Sequence, residues 1–224
     1  MDQVLLVDKP KEWTSFDVVG KVRYMLRQAT GQKIKVGHAG TLDPLATGLL
    51  IVLVGKATKR QDSFMKQDKV YEVEMKLGQT STTADEEGEK TIVSDRQPTE
   101  EEVSEAVMSF LGVISQVPPA YSAIKIDGQR AYKLARAGKE VKIEPRTVTI
   151  HSMSELTYSY PLVSFTANVS SGTYIRSLVT DIGDKLTTGA YMSNLRRTSI
   201  GEYSVSDAVA PEAAITGVAI TADK

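Results

Sequence analysis

The segment from Gly37 to Gly48, with the sequence GHAGTLDPLATG, holds one carboxylate in a setting that favours chemistry. Pro44 disfavours the helical conformation at Asp43, so this acid is expected on a short extended loop. Its neighbours are apolar, and a carboxylate held among apolar groups needs a polar partner or a chemical task. Asp-Pro also starts ordinary turns, in which the side chain only binds its own backbone. Asp43 is therefore a candidate functional carboxylate, with the turn as the alternative.

Three other side chains are candidates for the same site. Arg176 falls in the first turn of a predicted helix, where a cation opposes the helix dipole. A charge-assisted bond to a buried carboxylate such as Asp43 would offset that cost, whereas a surface arginine would simply tolerate it. Tyr71 lies on the apolar face of a predicted strand, and most tyrosines in such a position are core residues with the hydroxyl at the rim. His38 shares the segment of Asp43 and either contacts a substrate or is a hydrogen-bonded structural histidine.

The composition excludes several classes of protein. The chain has 224 residues, of which 41% are hydrophobic, and this length predicts one catalytic domain over residues 1–224 with a loosely ordered tail after about residue 209. It has no cysteine, so disulfides, thiolate metal sites and cysteine nucleophiles are excluded, and two histidines leave little room for a metal centre. No apolar run reaches the ~18 residues of a membrane span, and the start lacks a signal peptide. We expect a cytoplasmic protein without a metal or a cofactor.

Charge is segregated along the chain although the net charge is only -1. Residues 21–35 carry five basic and no acidic side chains, and residues 125–146 are also mainly basic. Residues 80–105 carry nine acidic side chains against two basic ones. Such segregation can present a basic face to a polyanion, or it can be merely solvated surface.

The periodicity of apolar residues predicts three helices. Thr14–Asp17 and Thr99–Glu102 have the pattern of capping boxes, and the helices that they begin are expected to end at Gly31 and Gly112. A third apolar stripe follows Gly172 and indicates the helix that contains Arg176.

Strands are predicted between these helices. Residues 49–54 are continuously apolar, which is typical of a strand covered on both faces. Residues 71–77 and 163–169 alternate between apolar and polar, and shorter strands are expected at 3–7 and 147–152. Because strands and helices interleave without a strict βαβ rhythm, we expect an α+β fold with a mixed, largely antiparallel central sheet flanked by helices.

Several motifs in this order resemble the TruB family of bacterial tRNA pseudouridine-55 synthases. The resemblance runs nearly from end to end, and its most specific block is Gly37–Gly48. The other matching motifs are Leu5–Pro10, Lys69–Tyr71, Pro119–Lys125 with Gly128, Tyr132 and Arg136, Ser171–Arg176, and Leu195–Arg197.

The resemblance implies a pseudouridine synthase fold and an enzyme that isomerises one uridine in the T-arm of tRNA. It implies that Asp43 is the nucleophile, that Arg176 is its ion-pair partner and that Tyr71 stacks on the target base. His38 and Leu195 would line the pocket. A uridine inside folded RNA must first be flipped out of its stack. The isomerisation involves no redox change, so no cofactor is expected.

RNA contacts are expected from the basic segments, and we assign them to Lys9, Lys56, Lys125 and Arg136. We expect a monomer that lacks the small C-terminal RNA-binding domain usual in the family, which leaves its affinity for tRNA open. Two alternatives remain: an RNA-binding module that mainly helps tRNA to fold, and a pseudouridine synthase that acts on another RNA.

Overall fold

The computed structural model describes residues 2–122, 124–126, 128–139, 141–216 and 220–221. The helices in this part of the chain are α1 (Ser15–Thr30), α2 (Gln61–Met65), α3 (Glu100–Met108), α4 (Ala131–Arg136) and α5 (Ile175–Lys185). The strands are β1 (Gln3–Lys9), β2 (Val36–Ala39), β3 (Thr47–Val54), β4 (Lys69–Leu77), β5 (Gln79–Ser81), β6 (Lys90–Ile92), β7 (Gly112–Gln116), β8 (Lys125–Ile126), β9 (Gln129–Arg130), β10 (Arg146–Ser159), β11 (Leu162–Val169), β12 (Ala190–Ile200), β13 (Tyr203–Ser204) and β14 (Ile220–Thr221).

The chain divides into two compact units. Unit 1 comprises Met1–Glu72 with Leu195–Lys224, and unit 2 comprises Val73–Asn194, so the boundaries fall within β4 and β12. The division into two units does not test the prediction of a single catalytic domain over residues 1–224, which stays a prediction. No helix in the described part of the chain is long and apolar enough to cross a membrane.

Unit 1 is built on β1 and β3, which pair antiparallel over their whole length. One face of the pair packs against α1, through side chains such as Val52 and Val22. The opposite face packs against a second cluster that includes Ile51 and Phe64. The prediction that residues 49–54 form a strand covered on both faces is therefore confirmed. After Val209, Ala214 is 1% exposed and belongs to the first cluster.

Unit 2 contains the antiparallel strands β7, β10 and β11, and the helices α3 and α5. In unit 1, β12 pairs parallel with β3. The prediction of an α+β fold with a mixed, largely antiparallel sheet is therefore confirmed. Helix α5 buries the predicted apolar stripe of Ile175, Leu178, Val179 and Ile182.

Two predicted boundaries differ from the structure. Both capping boxes are present, and α1 ends at Gly31 with φ +70°, as predicted. Helix α3, however, ends at Met108 rather than near Gly112, because Leu111 is 42% exposed and Gly112, with φ +93°, turns the chain into β7. Strand β10 runs to Ser159, beyond the predicted end at residue 152. Two register shifts interrupt the alternation of its side chains, so the periodicity of the sequence did not reveal its second half.

Candidate active site

Asp43 lies on the loop of residues 40–46, which joins β2 to β3 and is called the Asp43 loop below. The predicted apolar setting is present, since Leu42, Leu45 and Ala46 are at most 5% exposed. Asp43 itself is half-buried, and its backbone carbonyl accepts a hydrogen bond from Ala46 N at 3.1 Å. The loop thus presents a partly accessible carboxylate on a buried apolar base.

The segment before α1 braces the middle of this loop. Glu12 N donates to Pro44 O at 2.8 Å. Ser15 Oγ accepts a hydrogen bond from Leu42 N at 2.9 Å and lies 3.2 Å from Leu42 O, to which it donates. The backbones of Leu42 and Pro44, which flank Asp43, are therefore bonded to the Ser15 side chain in α1 and to Glu12 before it.

Lys9 adds a buried cation to this brace. It is 0% exposed, and its Nζ donates to Trp13 O at 2.6 Å, Pro10 O at 2.9 Å and Pro44 O at 3.3 Å. A phosphate contact needs an ammonium group that reaches the surface. The prediction that Lys9 binds RNA therefore does not fit its position, because its charge is directed to the carbonyls that fix the Asp43 loop.

Arg197 of β12 binds the backbone at the start of the Asp43 loop and in the strand that follows it. Its side chain is 1% exposed, with Nε donating to Leu49 O at 2.8 Å and Nη2 donating to Gly40 O at 3.0 Å. The backbone of Arg197 also lies against Gly48, where a Cβ atom would come within 2.2 Å of Arg197 O. Only glycine fits there, at φ +100°.

Positive charge is concentrated near this brace. Burial lowers the pKa of Lys69 to about 8, and the charge of Arg197 contributes to that lowering. Burial also lowers the pKa of His38, again assisted by Arg197, so the imidazole is neutral at pH 7. His38 Nδ1 is buried and has no hydrogen-bond partner among the described residues. Burial first, and the charge of Arg197 second, thus disfavour the charged forms of both neighbouring groups.

The structure places the other predicted pocket residues of unit 1 as follows. His38 lies on β2, with its ring centroid 5.4 Å from that of Phe16 in an edge-on arrangement. Tyr71 on β4 and Leu195 on β12 are each 7% exposed. Asp43, His38, Tyr71 and Leu195 thus all belong to unit 1, whereas Arg176 belongs to unit 2.

Arg176 is buried in unit 2 and is held by three acceptors. Its guanidinium donates to Tyr121 O at 2.8 Å and to Thr83 O at 3.1 Å. Nη1 lies 3.4 Å from a carboxylate oxygen of Asp85, and both side chains are at most 7% exposed. The argument that a cation in the first turn of α5 needs an acceptor is supported by these contacts. The predicted pairing of Arg176 with Asp43 stays a prediction.

Asp85 is a buried partner of a candidate site residue that sequence reasoning missed. It lies in the acidic stretch 80–105, which reads as solvated surface, yet it is 3% exposed. Its Oδ1 accepts hydrogen bonds from Thr83 Oγ1 at 2.5 Å and from Glu87 N at 3.1 Å. The Thr-x-Asp spacing was the one available signal, since a threonine two residues before an aspartate can fix its side chain locally.

The start of α5 is fixed by the segment that follows β7. Gln116 is 0% exposed, and its amide makes two bonds with the backbone of Tyr174, accepting from N at 2.8 Å and donating to O at 3.1 Å. Ser177 Oγ donates to Val117 O at 2.7 Å. These bonds replace the side-chain cap that α5 lacks and orient the turn that carries Arg176.

A cavity of about 300 Å³ in unit 2 adjoins the acceptors of Arg176. Thr83, Tyr121, Thr180 and Asp181 are among its lining residues. Burial raises the pKa of Asp181 to about 6, and the negative charge of Asp184 raises it further. This carboxyl therefore titrates at mildly acidic pH.

The remaining predicted RNA contacts lie at the surface where they are described. Lys56 has an 85% exposed side chain, 3.9 Å from Asp2, and Arg136 is exposed over the ring of Tyr132. The side chain of Lys125 lies outside the described part of the structure. Within that part, no group of three or more His, Asp or Glu side chains is arranged to hold a metal ion.

Comparison with known proteins identifies the family. The model described as "TruB family pseudouridylate synthase (N terminal domain)" matches residues 27–175. The chain belongs to the TruB family. A second model, "tRNA pseudouridylate synthase B C-terminal domain", matches residues 176–216. Residues 176–216 include all of α5 except Ile175, and all of β12, and the sequence analysis placed both elements in the catalytic domain.

Individual relatives agree with the TruB assignment. A protein of Parabacteroides distasonis named "tRNA pseudouridine synthase B" is 46% identical over 94% of this chain and 90% of its own length. Among solved structures, a chain of "Crystal Structure of a Cbf5-Nop10-Gar1 Complex" is 30% identical, with a TM-score of 0.68 over 90% of this chain. A chain of "Structure of H/ACA RNP bound to a substrate RNA containing 2'-deoxyuridine" is 28% identical, with a TM-score of 0.64 over 90% of this chain. The TruB chain described here spans about half of each of these solved chains.

Proposed function

We propose that this protein isomerises uridine 55 in the T-arm of tRNA to pseudouridine. Membership of the TruB family supports the reaction, and the name of the relative from Parabacteroides distasonis supports tRNA as the substrate. The observation that carries the proposal is the Asp43 loop, whose half-buried carboxylate stands on a backbone braced by Lys9, Ser15 and Arg197.

Asp43 acts as the nucleophile in the proposed reaction. Its carboxylate forms a covalent bond to the target nucleotide, at the uracil ring or at the ribose, while the bond between ribose C1′ and uracil N1 breaks. The base turns and C1′ bonds to uracil C5. The bond between Asp43 and the nucleotide then breaks and regenerates the free carboxylate, the C5 proton is lost and N1 is protonated. Substrate and product are isomers, so the reaction balances without an oxidant or reductant. The loop contributes by fixing the carboxylate in one geometry.

The other predicted site residues handle the flipped base. Eversion of the uridine costs a few kcal/mol, and stacking on an aromatic ring such as Tyr71 returns about 1–3 kcal/mol. His38 and Leu195 line the pocket, where a neutral imidazole is compatible with an uncharged uracil. Arg176 pairs with the Asp43 carboxylate and keeps it ionised when the bound base excludes water. We further propose that the protein is a cytoplasmic monomer.

Mapping of modified positions is the experiment that tests the substrate. Total RNA and purified tRNA are incubated with the full-length chain, and pseudouridine is located by carbodiimide labelling and sequencing. We expect modification at uridine 55 of many tRNAs. Modification only at other RNAs would replace the substrate with the second alternative. Restoration of tRNA folding by protein that forms no pseudouridine would favour the RNA-folding module instead.

A further inference from the structure

Helix α1 exposes a large aromatic side chain beside the Asp43 loop. Phe16 is 71% exposed, although a phenylalanine side chain is normally buried in a core. It follows Ser15, which is bonded to Leu42 next to Asp43, and its ring lies 5.4 Å from the ring of His38. Phe16 therefore holds an apolar ring at the surface, one residue after Ser15, which braces the loop of the candidate nucleophile.

The same face of α1 continues with an open position and two cations. Residues 16, 20, 23 and 27 lie within about 60° of one another around the helix, because each turn takes 3.6 residues. Arg23 and Arg27 are exposed, about 10 Å and 16 Å from Phe16 along the axis, and Arg23 uses one of its guanidinium nitrogens, Nη2, to donate to Val36 O at 3.3 Å. Asp17, the one acid of α1, is off this face, and its carboxylate accepts from Thr14 in the capping box.

Gly20 fills the position between the ring and the first arginine. A Cβ atom there would meet nothing within 4 Å, so packing does not require glycine at this position. Glycine inside a helix costs about 1 kcal/mol relative to alanine. Side chains on a helix cover the surface N-terminal to their own Cα, so a longer residue at 20 would cover Phe16. The glycine thus leaves the ring face accessible at the expense of helix stability.

We propose that Phe16, Gly20, Arg23 and Arg27 form an RNA-binding face, called the α1 face, in which Phe16 stacks on an unpaired base beside the target uridine. The two arginines hold phosphates of the strand that leads away from that base. The combination of an exposed ring with a basic track is what single-stranded nucleic acid recognises. The inference rests on the proposed function, because it places the target uridine at Asp43.

The test uses the full-length chain and a fluorescently labelled T-arm hairpin. Phe16→Ala is expected to weaken binding of the hairpin about tenfold, in the range measured for losing one base–aromatic stack, with an unchanged melting temperature. Phe16→Trp is expected to restore binding, and Gly20→Gln to weaken it. Tyr24→Ala is the matched control: Tyr24 is a 61% exposed aromatic on the same helix, about 80° around the helix from Phe16, and its loss is expected to change binding less than twofold.

Two further measurements separate stacking from a merely structural role of Phe16. With 2-aminopurine next to the target position, binding is expected to quench its fluorescence in the wild type but not in Phe16→Ala. The slope of log Kd against log salt is expected to be unchanged in Phe16→Ala and to become shallower by about 0.7–0.9 in Arg27→Gln. Equal effects of Phe16→Ala and Tyr24→Ala, or quenching that survives in Phe16→Ala, would overturn the inference. If the wild type forms no pseudouridine in the hairpin, the proposed function fails; if it does and Phe16→Ala binds normally, this inference alone fails.

Discussion

The Asp43 loop of unit 1 and the Arg176 turn of unit 2 hold their charged groups in different ways. Around Asp43, buried cations donate to backbone carbonyls, with Lys9 bonded to Pro44 O and Arg197 to Gly40 O. Around Arg176, the charged side chain is itself the donor, bonded to two backbone carbonyls and 3.4 Å from a buried carboxylate. The loop is thus held through its backbone, whereas the arginine is held through its own guanidinium, with a carboxylate among its partners.

A backbone change at the loop is expected to have the largest effect. Gly48→Ala is expected to lower the free energy of unfolding by more than ~4 kcal/mol, because the new Cβ would lie 2.2 Å from Arg197 O. Urea unfolding measures the change. Gly31→Ala is the matched control, since Gly31 also has positive φ but its Cβ would meet nothing within 4 Å, and a loss of about 1 kcal/mol is expected. Similar losses in the two variants would contradict the close approach.

A charge change is expected to have the next largest effect, and to act on unit 2. Asp85→Asn removes the buried carboxylate that faces Arg176 within unit 2, so the free energy of unfolding is expected to fall by about 3 kcal/mol. Asp8→Asn breaks the pair between Asp8 and Arg196, whose side chains are 35% and 34% exposed, and should cost less than ~1 kcal/mol. Urea unfolding measures both losses. Equal losses of unfolding free energy in Asp85→Asn and Asp8→Asn would contradict the claim that the buried ion pair contributes more than the partly exposed one.

Removal of a cation from the loop brace is expected to affect both catalysis and stability. Lys9→Met removes the donor to Pro44 O, so we expect kcat to fall about tenfold and the free energy of unfolding by about 2 kcal/mol. KM should stay within twofold, because Lys9 is 0% exposed and its ammonium group donates to backbone carbonyls. Lys56→Met, at an exposed lysine, serves as the control and should leave kcat unchanged. A large rise of KM in Lys9→Met with normal kcat would restore Lys9 as an RNA contact.

The smallest effect is expected at Asp181, and it depends on pH. The pKa of Asp181 is raised to about 6 in the folded protein, so between about pH 4 and 6 the folded state binds the proton more strongly than the unfolded state. Stability contributed by the protonated form is therefore lost as pH rises through 6. Asp181→Asn should stabilise the protein by about 1 kcal/mol at pH 7, discounted for the partial exposure, and by nothing near pH 3.5. Thermal melts at the two pH values measure the difference.

Local features of the fold were predictable because neighbouring residues determine them. The capping boxes at Thr14 and Thr99 and the strand at residues 49–54 depend on residues close together in sequence, and all three are present. The second half of β10 was not predictable from periodicity, because its bulges break the alternation and only pairing with β11 keeps it extended.

The candidate site was predictable to a similar extent. The apolar surroundings of Asp43 follow from adjacent residues and are confirmed. The partners Lys9 and Arg197 reach the loop from β1 and β12, and nothing local in their sequence indicates that they donate to its carbonyls. Asp85 was hidden for the opposite reason: its neighbours are acidic and exposed, while its own burial depends on Arg176, far away in the chain.

The most direct test of the account is the single-turnover rate of Asp43→Asn on a T-arm hairpin, with hairpin affinity measured on the same preparation. The account predicts that pseudouridine formation falls by at least about four orders of magnitude, because the amide is not a nucleophile, while Kd and the melting temperature stay close to those of the wild type. Turnover within tenfold of the wild type, in a folded variant that binds normally, would contradict it.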